Sequence, residues 1–402
     1  MPKPAKHDLM RNTNTLSVLN FLRQNKQATR REIQFATGLS WAAVSNITAD
    51  LIARKIITEQ LSTDYTAGRN PSMLDFTPMN NLTIGIDINI SGIVAVLLDL
   101  RCNIIDQQKT TIAVPEKEFF LEQSLQMVRS LLEAHNLSAS NLLGIGISVQ
   151  GSVDPDGTTS LYNSFIRGWK KIPLKDIFEE NFHIPTHVNH DPVCIALAEQ
   201  WARKLNQNTD VALIRLSSGI VMGYILQGRV IRGKNGTAGE LGHIVLNKDG
   251  PKCSCGNRGC LESFCSIRGI SQRLAALDET TQAADVQDAA GMYQTVLAAA
   301  EQARQGNDAV RQVFTEAGEY LGIGIANLVN LFNPELIVLT GELLDVKDMF
   351  LDVAKATAQK LAWSLSPVNI LLSNNSGVNA AMGAALYYIN NAFDCQTSKL
   401  LP

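Results

Sequence analysis

The 402-residue sequence lacks any apolar run of membrane-spanning length. Its longest hydrophobic stretches, 82–90 and 92–100, are interrupted by Asp87, Asn89 and Asp99. The basic N-terminus has no apolar core of the kind that marks a secretory leader, which predicts a cytoplasmic chain with no membrane partner. Charged residues make up only 18% of the chain and hydrophobic ones 45%, the balance of a soluble globular protein. The length exceeds a single ordinary core and predicts two or three domains. Cysteine is sparse, seven in all, and without a secretory segment these are not expected to form a disulfide framework.

The net charge of −3 hides an asymmetry. Through Asp75 there are ten basic and six acidic residues, so a basic N-terminal segment precedes an acidic body. That distribution suits a partner with a phosphate backbone, although a surplus of four charges is a weak signal.

Three of the seven cysteines stand in one short stretch. His243, Cys253, Cys255 and Cys260 fall within eighteen residues, interspersed with glycines that let the backbone fold tightly. One imidazole and three thiolates complete a tetrahedron around Zn²⁺ and leave no open position, so the expected metal is structural, not catalytic. A disulfide or scattered buried thiols are the alternative. Cys253 and Cys255 stand too close to pair comfortably with each other. Glu240 and Glu262 bracket the set without a metal role, free to point into a neighbouring pocket. Cys102, Cys194, Cys265 and Cys395 are expected to be plain thiols.

The N-terminal segment has the order helix, helix, glycine turn, helix and hairpin. Leu16, Leu19, Phe21 and Leu22 form an apolar stripe. Thr29 and Glu32 have the spacing of a capping box, and Gly38 provides the corner of a helix-turn-helix. Ser40 is placed to cap the next helix, whose apolar positions Val44, Ile47 and Leu51 define a buried face. The opposite face presents Ser40, Trp41, Ser45 and Asn46, short polar groups near a helix start, as expected of a recognition helix. Residues 56–60 and 73–76 predict a two-stranded wing, with Arg69 at its tip for a minor groove or a phosphate. Candidate DNA contacts are therefore Arg30, Ser40, Trp41, Ser45, Asn46 and Arg69. A helical dimerisation arm is the alternative. Trp41 fits either against the wing or against a thymine methyl.

The glutamates, the histidine and the three cysteines together resemble the signature of the ROK family (repressors, open reading frames, sugar kinases), and the resemblance spans the chain. It implies an N-terminal winged helix-turn-helix on an α/β actin-like, two-lobe body. The strand and helix runs agree, because a β-β-β-α-β-α-β-α order occurs twice. The expected organisation is a DNA-binding domain over 1–80, a first lobe over 81–200 completed by a C-terminal helix at 377–393, and a second lobe over 201–376. The second lobe would carry the zinc motif and dimerisation helices.

The resemblance also implies a sugar site. Glu240, His243 and Glu262 match the family's sugar contacts, with His243 serving metal and ligand through its two ring nitrogens. Asp191 matches the kinase catalytic base, preceded by His190 where kinases carry Asn; Asp191 is equally well placed to cap the helix after it. Gly151 stands beside the sugar in the kinases, and Asn163 is a further candidate. The kinases' phosphate-gripping glycines are replaced: Asn89 and Ile90 in the first turn, Ser217 and Val221 in the second, with Glu342 after Gly341 on the adenosine side.

These features predict a sugar-responsive repressor. It would bind operator DNA and a sugar or sugar phosphate, without phosphotransfer, as a homodimer or dimer of dimers. An active sugar kinase carrying a DNA-binding domain is the competing expectation.

Overall fold

The computed structural model describes residues 6–61, 72–89, 92–111, 116–163, 166–206, 208–277, 289–363, 367–373, 379–394 and 397–401. The chain opens with α1 (Lys6–Gln24), α2 (Arg30–Thr37) and α3 (Trp41–Ala53), succeeded by the antiparallel pair β1 (Ile57–Leu61) and β2 (Ser72–Phe76). The Thr29 hydroxyl accepts from Glu32 N at 3.2 Å, and the Glu32 carboxylate accepts from Thr29 N at 2.7 Å, the reciprocal capping box. Gly38 ends α2 in the left-handed region at φ 68°, and the Ser40 hydroxyl accepts from Ala43 N to start α3. Leu19, Leu22, Ile33, Val44, Leu51, Ile57 and Leu74 are buried as the core of this small domain. Ile47 is only half-buried. Thr48 takes the inward place and accepts from Arg30 Nε at 2.9 Å.

The first large sheet begins with the meander β3 (Leu82–Asn89), β4 (Gly92–Leu98) and β5 (Ile104–Thr110). After α4 (Lys117–Ala134), β6 (Leu142–Val149) joins parallel to β3. A small antiparallel sheet comes next, formed by β7 (Ser152–Val153), β8 (Ser160–Tyr162) and β9 (Lys170–Ile172). Then α5 (Leu174–Phe182) leads to β10 (Thr186–His190), parallel to β6. The spatial order is β10-β6-β3-β4-β5.

The second half repeats the plan. After α6 (Asp191–Ala202) come β11 (Val211–Leu216), β12 (Ile220–Leu226) and β13 (Arg229–Val230), again antiparallel. Helices α7 (Leu261–Cys265), α8 (Ile267–Ala275), α9 (Ala289–Arg304) and α10 (Asp308–Phe332) precede β14 (Leu336–Thr340), parallel to β11. Then α11 (Leu351–Leu361), β15 (Ile370–Leu372) and α12 (Asn379–Ala392) complete the chain. Reading from its far edge, β15-β14-β11-β12-β13 reproduces the first order. The runs expected to be strands are apolar because both sheets are covered: every residue of β4, β6 and β14 is buried.

Two compact units result, Met1–His190 with Ala380–Pro402, and Asp191–Asn379. The division falls ten residues before the expected boundary at 200. Helix α6 goes with the second unit because it packs on β11 and β12; a Cβ at Gly223 of β12 would stand 2.5 Å from the Pro192 carbonyl. The terminal helix α12 returns to the first unit. There, a Cβ at Gly85 or Gly146 would meet the carbonyl oxygen of Ala381 or Ala384 at 1.9 Å, so bare backbone at both positions admits the helix.

Within the first unit the winged domain is clasped to the sheet. Arg101, in the β4–β5 turn, donates to the carbonyls of Leu22, Asn25 and Lys26 at 2.9, 3.0 and 2.7 Å. It also pairs with Asp75 at 2.6 Å and lies over the Phe76 ring. Arg23 donates to Cys102 Sγ at 3.2 Å and covers the Phe393 ring. Arg54 donates to the carbonyls of Leu400 and Leu401 at 2.9 and 3.2 Å. Among the described residues, no helix is long and apolar enough to cross a membrane.

Candidate functional site

The four expected metal donors converge. His243 closes a short 3-10 turn after Glu240, Cys253 and Cys255 lie in the next loop, and Cys260 caps α7. Backbone bonds from Cys253 N to Asn257 O and from Gly256 N to Cys253 O fold that loop on itself. The four ligand atoms lie within 4.8 Å of one another. Cys253 Sγ is 3.6 Å from His243 Nδ1, and Cys255 Sγ is 3.7 Å from Cys260 Sγ. A tetrahedral Zn²⁺ with ordinary bond lengths spaces its ligands at about 3.6 Å for nitrogen to sulfur and about 3.8 Å for sulfur to sulfur. The donor set fits zinc in both chemistry and span. Burial, and then contact with the neighbouring thiols, pushes Cys260 up to about 12, whereas the backbone N–H of Asn257 draws Cys255 down. Three thiols so close together ionise together only with a cation at their centre.

Nδ1 of His243 faces the sulfurs and Nε2 faces Glu240, 3.9 Å from its Oε2. The ring therefore presents one nitrogen to the metal site and the other to a flanking carboxylate. Glu262, buried at the start of α7, is more committed than expected. Its Oε2 accepts from Ile220 N at 3.1 Å and its Oε1 from Ser254 Oγ at 3.1 Å, so it braces the 217–220 turn to the metal loop. In the first unit, Gly151 (φ 93°) packs against the Tyr162 carbonyl beside buried Asn163, and His190 ends β10. Asp191 is the first residue of α6, where its carboxylate pairs with Arg215. Sequence reasoning misses Arg215, because β11 reads as a plain apolar strand.

The two turns that the resemblance likens to phosphate turns carry side chains where glycines would leave open backbone. Asn89 Nδ2 donates to Asp87 Oδ2 at 2.6 Å, and Ser148 Oγ donates to Asp87 Oδ1 at 2.7 Å, so Asp87 is tied within its own sheet. Ile90 lies outside the described residues. In the second turn Glu262 fills the space beside Gly219, and Glu342 extends toward Arg215, 3.2 Å from its Nη2.

On the winged domain, Ser40, Trp41 and Asn46 are exposed on α3 and Ser45 is half-buried. Arg30 does not share that free face. It forks onto both oxygens of Glu59 in β1 and onto Thr48 in α3, bracing helix to wing. Arg69 lies outside the described residues. Cys102, Cys194 and Cys265 are buried and form no disulfide; Cys395 is outside the described residues.

Comparison with known proteins places the chain. The ROK family sequence profile matches residues 83–391, beginning just after the winged domain. The xylose repressor of Caldicellulosiruptor bescii is 29% identical over 352 residues, covering 86% of this chain and 87% of that protein. A ROK family transcriptional regulator, a homologue of the E. coli Mlc protein, shares the fold over 98% of this chain and 99% of its own, with a TM-score of 0.78 at 23% identity. A ROK family glucokinase from Streptomyces griseus, solved with glucose and AMPPNP, matches with a TM-score of 0.60 at 27% identity. That match covers 99% of the kinase but only 76% of this chain. The chain belongs to the ROK family.

Proposed function

We propose that this protein is a sugar-responsive transcriptional repressor, whose winged helix domain reads operator DNA and whose ROK body binds a sugar without phosphorylating it. The observation that carries this reading is the union, in one chain, of a winged helix with a kinase-like body whose phosphate turns are filled by Asn89, Ser217 and Glu342. Gly151, Asn163, His190, Asp191, Glu240, His243 and Glu262 are the proposed sugar contacts; carboxylates, an amide and imidazoles suit paired hydroxyls. Ser40, Trp41, Ser45, Asn46 and Arg69 are the proposed DNA contacts. Arg30 belongs to the frame behind them.

Zinc is the proposed resident metal at His243, Cys253, Cys255 and Cys260. With all four positions taken by protein, it supplies rigidity and no chemistry on the ligand. It would fix the His243 ring so that Nε2, together with Glu240, stays turned toward the sugar. A homodimer in the cytoplasm is part of the same reading. One recognition helix spans a short half-site, and operators pair two. An exposed apolar cluster supports a partner surface: Leu331 and Phe332 at the end of α10, Leu361 at the end of α11, and Trp363, which is 95% exposed.

Sugar relieves repression only if it prefers the arrangement that does not fit the operator; equal affinity for both would shift nothing. The test is a fluorescence anisotropy titration at fixed salt on an operator selected from random-sequence DNA, with a sugar panel that includes xylose. The expected result is weakened binding with one neutral sugar. A sugar that tightens the complex would reverse the direction and make the protein a co-repressed or activating regulator. The kinase reading rests on Asp191 at the base position. ADP release dependent on sugar and abolished by Asp191→Ala would establish it in place of this one.

A further inference from the structure

Strand β11 contains one charged residue in an otherwise apolar run. Val211, Ala212, Leu213, Ile214 and Leu216 are fully buried, and Arg215 stands among them. Its guanidinium donates through Nη1 to Asp191 Oδ2 and through Nη2 to Glu342 Oε1 at 3.2 Å. Asp191 opens α6, while Glu342 comes after Gly341 directly beyond β14, whose Thr340 lies opposite Arg215 in the parallel ladder. Three elements of the second unit thus converge on one cation. The pair with Asp191 is dry, at 4% side-chain exposure for the aspartate and 15% for the arginine; Glu342, at 44%, is the solvent-facing end. Burial works against ionisation of Glu342. The Arg215 charge and the Ser217 hydroxyl prevail and hold its carboxyl below the ordinary value.

Neither the zinc motif nor the sugar contacts require this arrangement. In phosphoryl transfer, a divalent cation brings positive charge between protein carboxylates and the nucleotide's phosphates. Here a fixed guanidinium already bridges two carboxylates, and the group as a whole carries a net charge of about −1. A carboxylate oxygen paired with a guanidinium is held in place by that pair. The same carboxylate remains a strong acceptor for a hydroxyl hydrogen bond. A phosphate on that hydroxyl would instead face the net negative charge of Asp191 and Glu342.

We propose that Arg215 is a built-in cation lock: it ties Asp191 to Glu342, reserves Asp191 as a hydrogen-bond acceptor for a neutral sugar hydroxyl, and excludes both metal-bound polyphosphate and sugars phosphorylated at that hydroxyl. Arg215 is a positioning and specificity residue that acts through Asp191. The assignment of the sugar to Asp191 rests on the function proposed above; the cation lock itself does not.

The experiment uses the full chain and three variants, Arg215→Met, Arg215→Lys and Arg215→Met with Glu342→Gln. Manganese chloride alone is the first probe, read by electron paramagnetic resonance of bound Mn²⁺ and by thermal shift. Arg215→Met should take up one Mn²⁺ between the released carboxylates; wild type, Arg215→Lys and the double variant should not. The second probe is calorimetric titration with neutral pentoses and hexoses and with their phosphates. Wild type should favour the neutral sugar; Arg215→Met should lose about tenfold or more in affinity for it, and Arg215→Lys should recover most of that loss.

Unchanged Mn²⁺ uptake and unchanged sugar selectivity across the variants would overturn the lock. So would tighter binding of a phosphosugar by wild type, which would mean that phosphate captures Arg215 from Glu342. If no sugar binds wild type but the Mn²⁺ pattern holds, the sugar-site reading fails and the lock stands; the converse result fails the lock alone. Should Arg215→Met not fold, Glu342→Gln takes over. It releases one arm of Arg215 to meet phosphate, and an unaltered preference between sugar and phosphosugar would then refute the proposal.

Discussion

The hairpin between β4 and β5 and the hairpin between β12 and β13 occupy the same place in two sheets of the same strand order. Their tips differ. Gln227 and Gly228 make a two-residue turn with φ 48° and 73°, the tight connection that matches strand twist. Between β4 and β5 the tip is longer and supports itself. The Asp99 carboxylate accepts from the backbone N–H groups of Arg101 and Asn103 at 2.8 and 2.9 Å and from the Asn103 amide at 2.9 Å. With the loop satisfied internally, the Arg101 side chain is available to a neighbour. It meets the Leu22 carbonyl in the last turn of α1 and the Asn25 and Lys26 carbonyls just beyond it, at the helix end that attracts a cation. A few residues at one tip thus turn an ordinary hairpin into the joint between the winged domain and the sheet. The second unit's counterpart stays plain, and that unit's cohesion is proposed to depend on the metal loop instead.

The largest effect that would sharpen this contrast is expected at the metal. Cys260→Ser, or stripping with a chelator, should forfeit on the order of 10 kcal/mol of metal-linked folding free energy. Calorimetry should show the second unit's transition collapsing while the winged domain's survives; a metal-free, equally stable wild type would break the comparison. Next comes Arg101→Ala, which strands three carbonyls and Asp75 and should cost about 2–3 kcal/mol by urea unfolding. Arg101→Lys should restore less than half of that, because an ammonium cannot reproduce the fork. Hydrogen exchange should quicken at residues 22–26 in both variants. Arg54→Ala, losing two carbonyl bonds to Leu400 and Leu401, should cost about 1–2 kcal/mol. Smallest is Arg229→Ala, on the exposed flank of the plain hairpin, expected within about 0.5 kcal/mol of wild type. A loss there as large as at Arg101 would mean that the two hairpins are not used differently.

What the sequence disclosed was local. The capping box at Thr29 and Glu32, the corner at Gly38 and the spacing of His243, Cys253, Cys255 and Cys260 are each fixed by a few bonds along the chain, so their geometry could be read from residue order. The repeated strand pattern was legible because inner strands such as β4, β6 and β14 are buried on both faces. Interactions formed across long separations were not legible. Arg215 finds its partners 24 residues before it and 127 after it, and Arg101 grips residues 75–79 positions earlier. Arg30 reads as a DNA contact because a cation in a candidate DNA-binding domain carries no mark of an internal partner; Glu59 supplies one. Thr48 displaces Ile47 from the core for the same reason, since its hydroxyl is needed to receive Arg30.

The return of α12 to the first unit has a consequence for how the chain is made. Gly85 and Gly146 leave a bare strip on β3 and β6 that Ala381, Ala384 and Ala385 fill. On the ribosome, residues 191–379 must emerge before that strip is covered, roughly 10–40 s at 5–20 residues per second. During that interval the winged domain can bury its own core, but the sheet to which it is clasped remains open. Leu400 and Leu401, which receive Arg54, are made after α12. A prematurely terminated chain would therefore carry the winged domain on an unfinished mount, exposing apolar surface that chaperones and proteases recognise. On the function proposed above, completion of synthesis would separate a finished regulator from a fragment able to occupy DNA without responding to sugar.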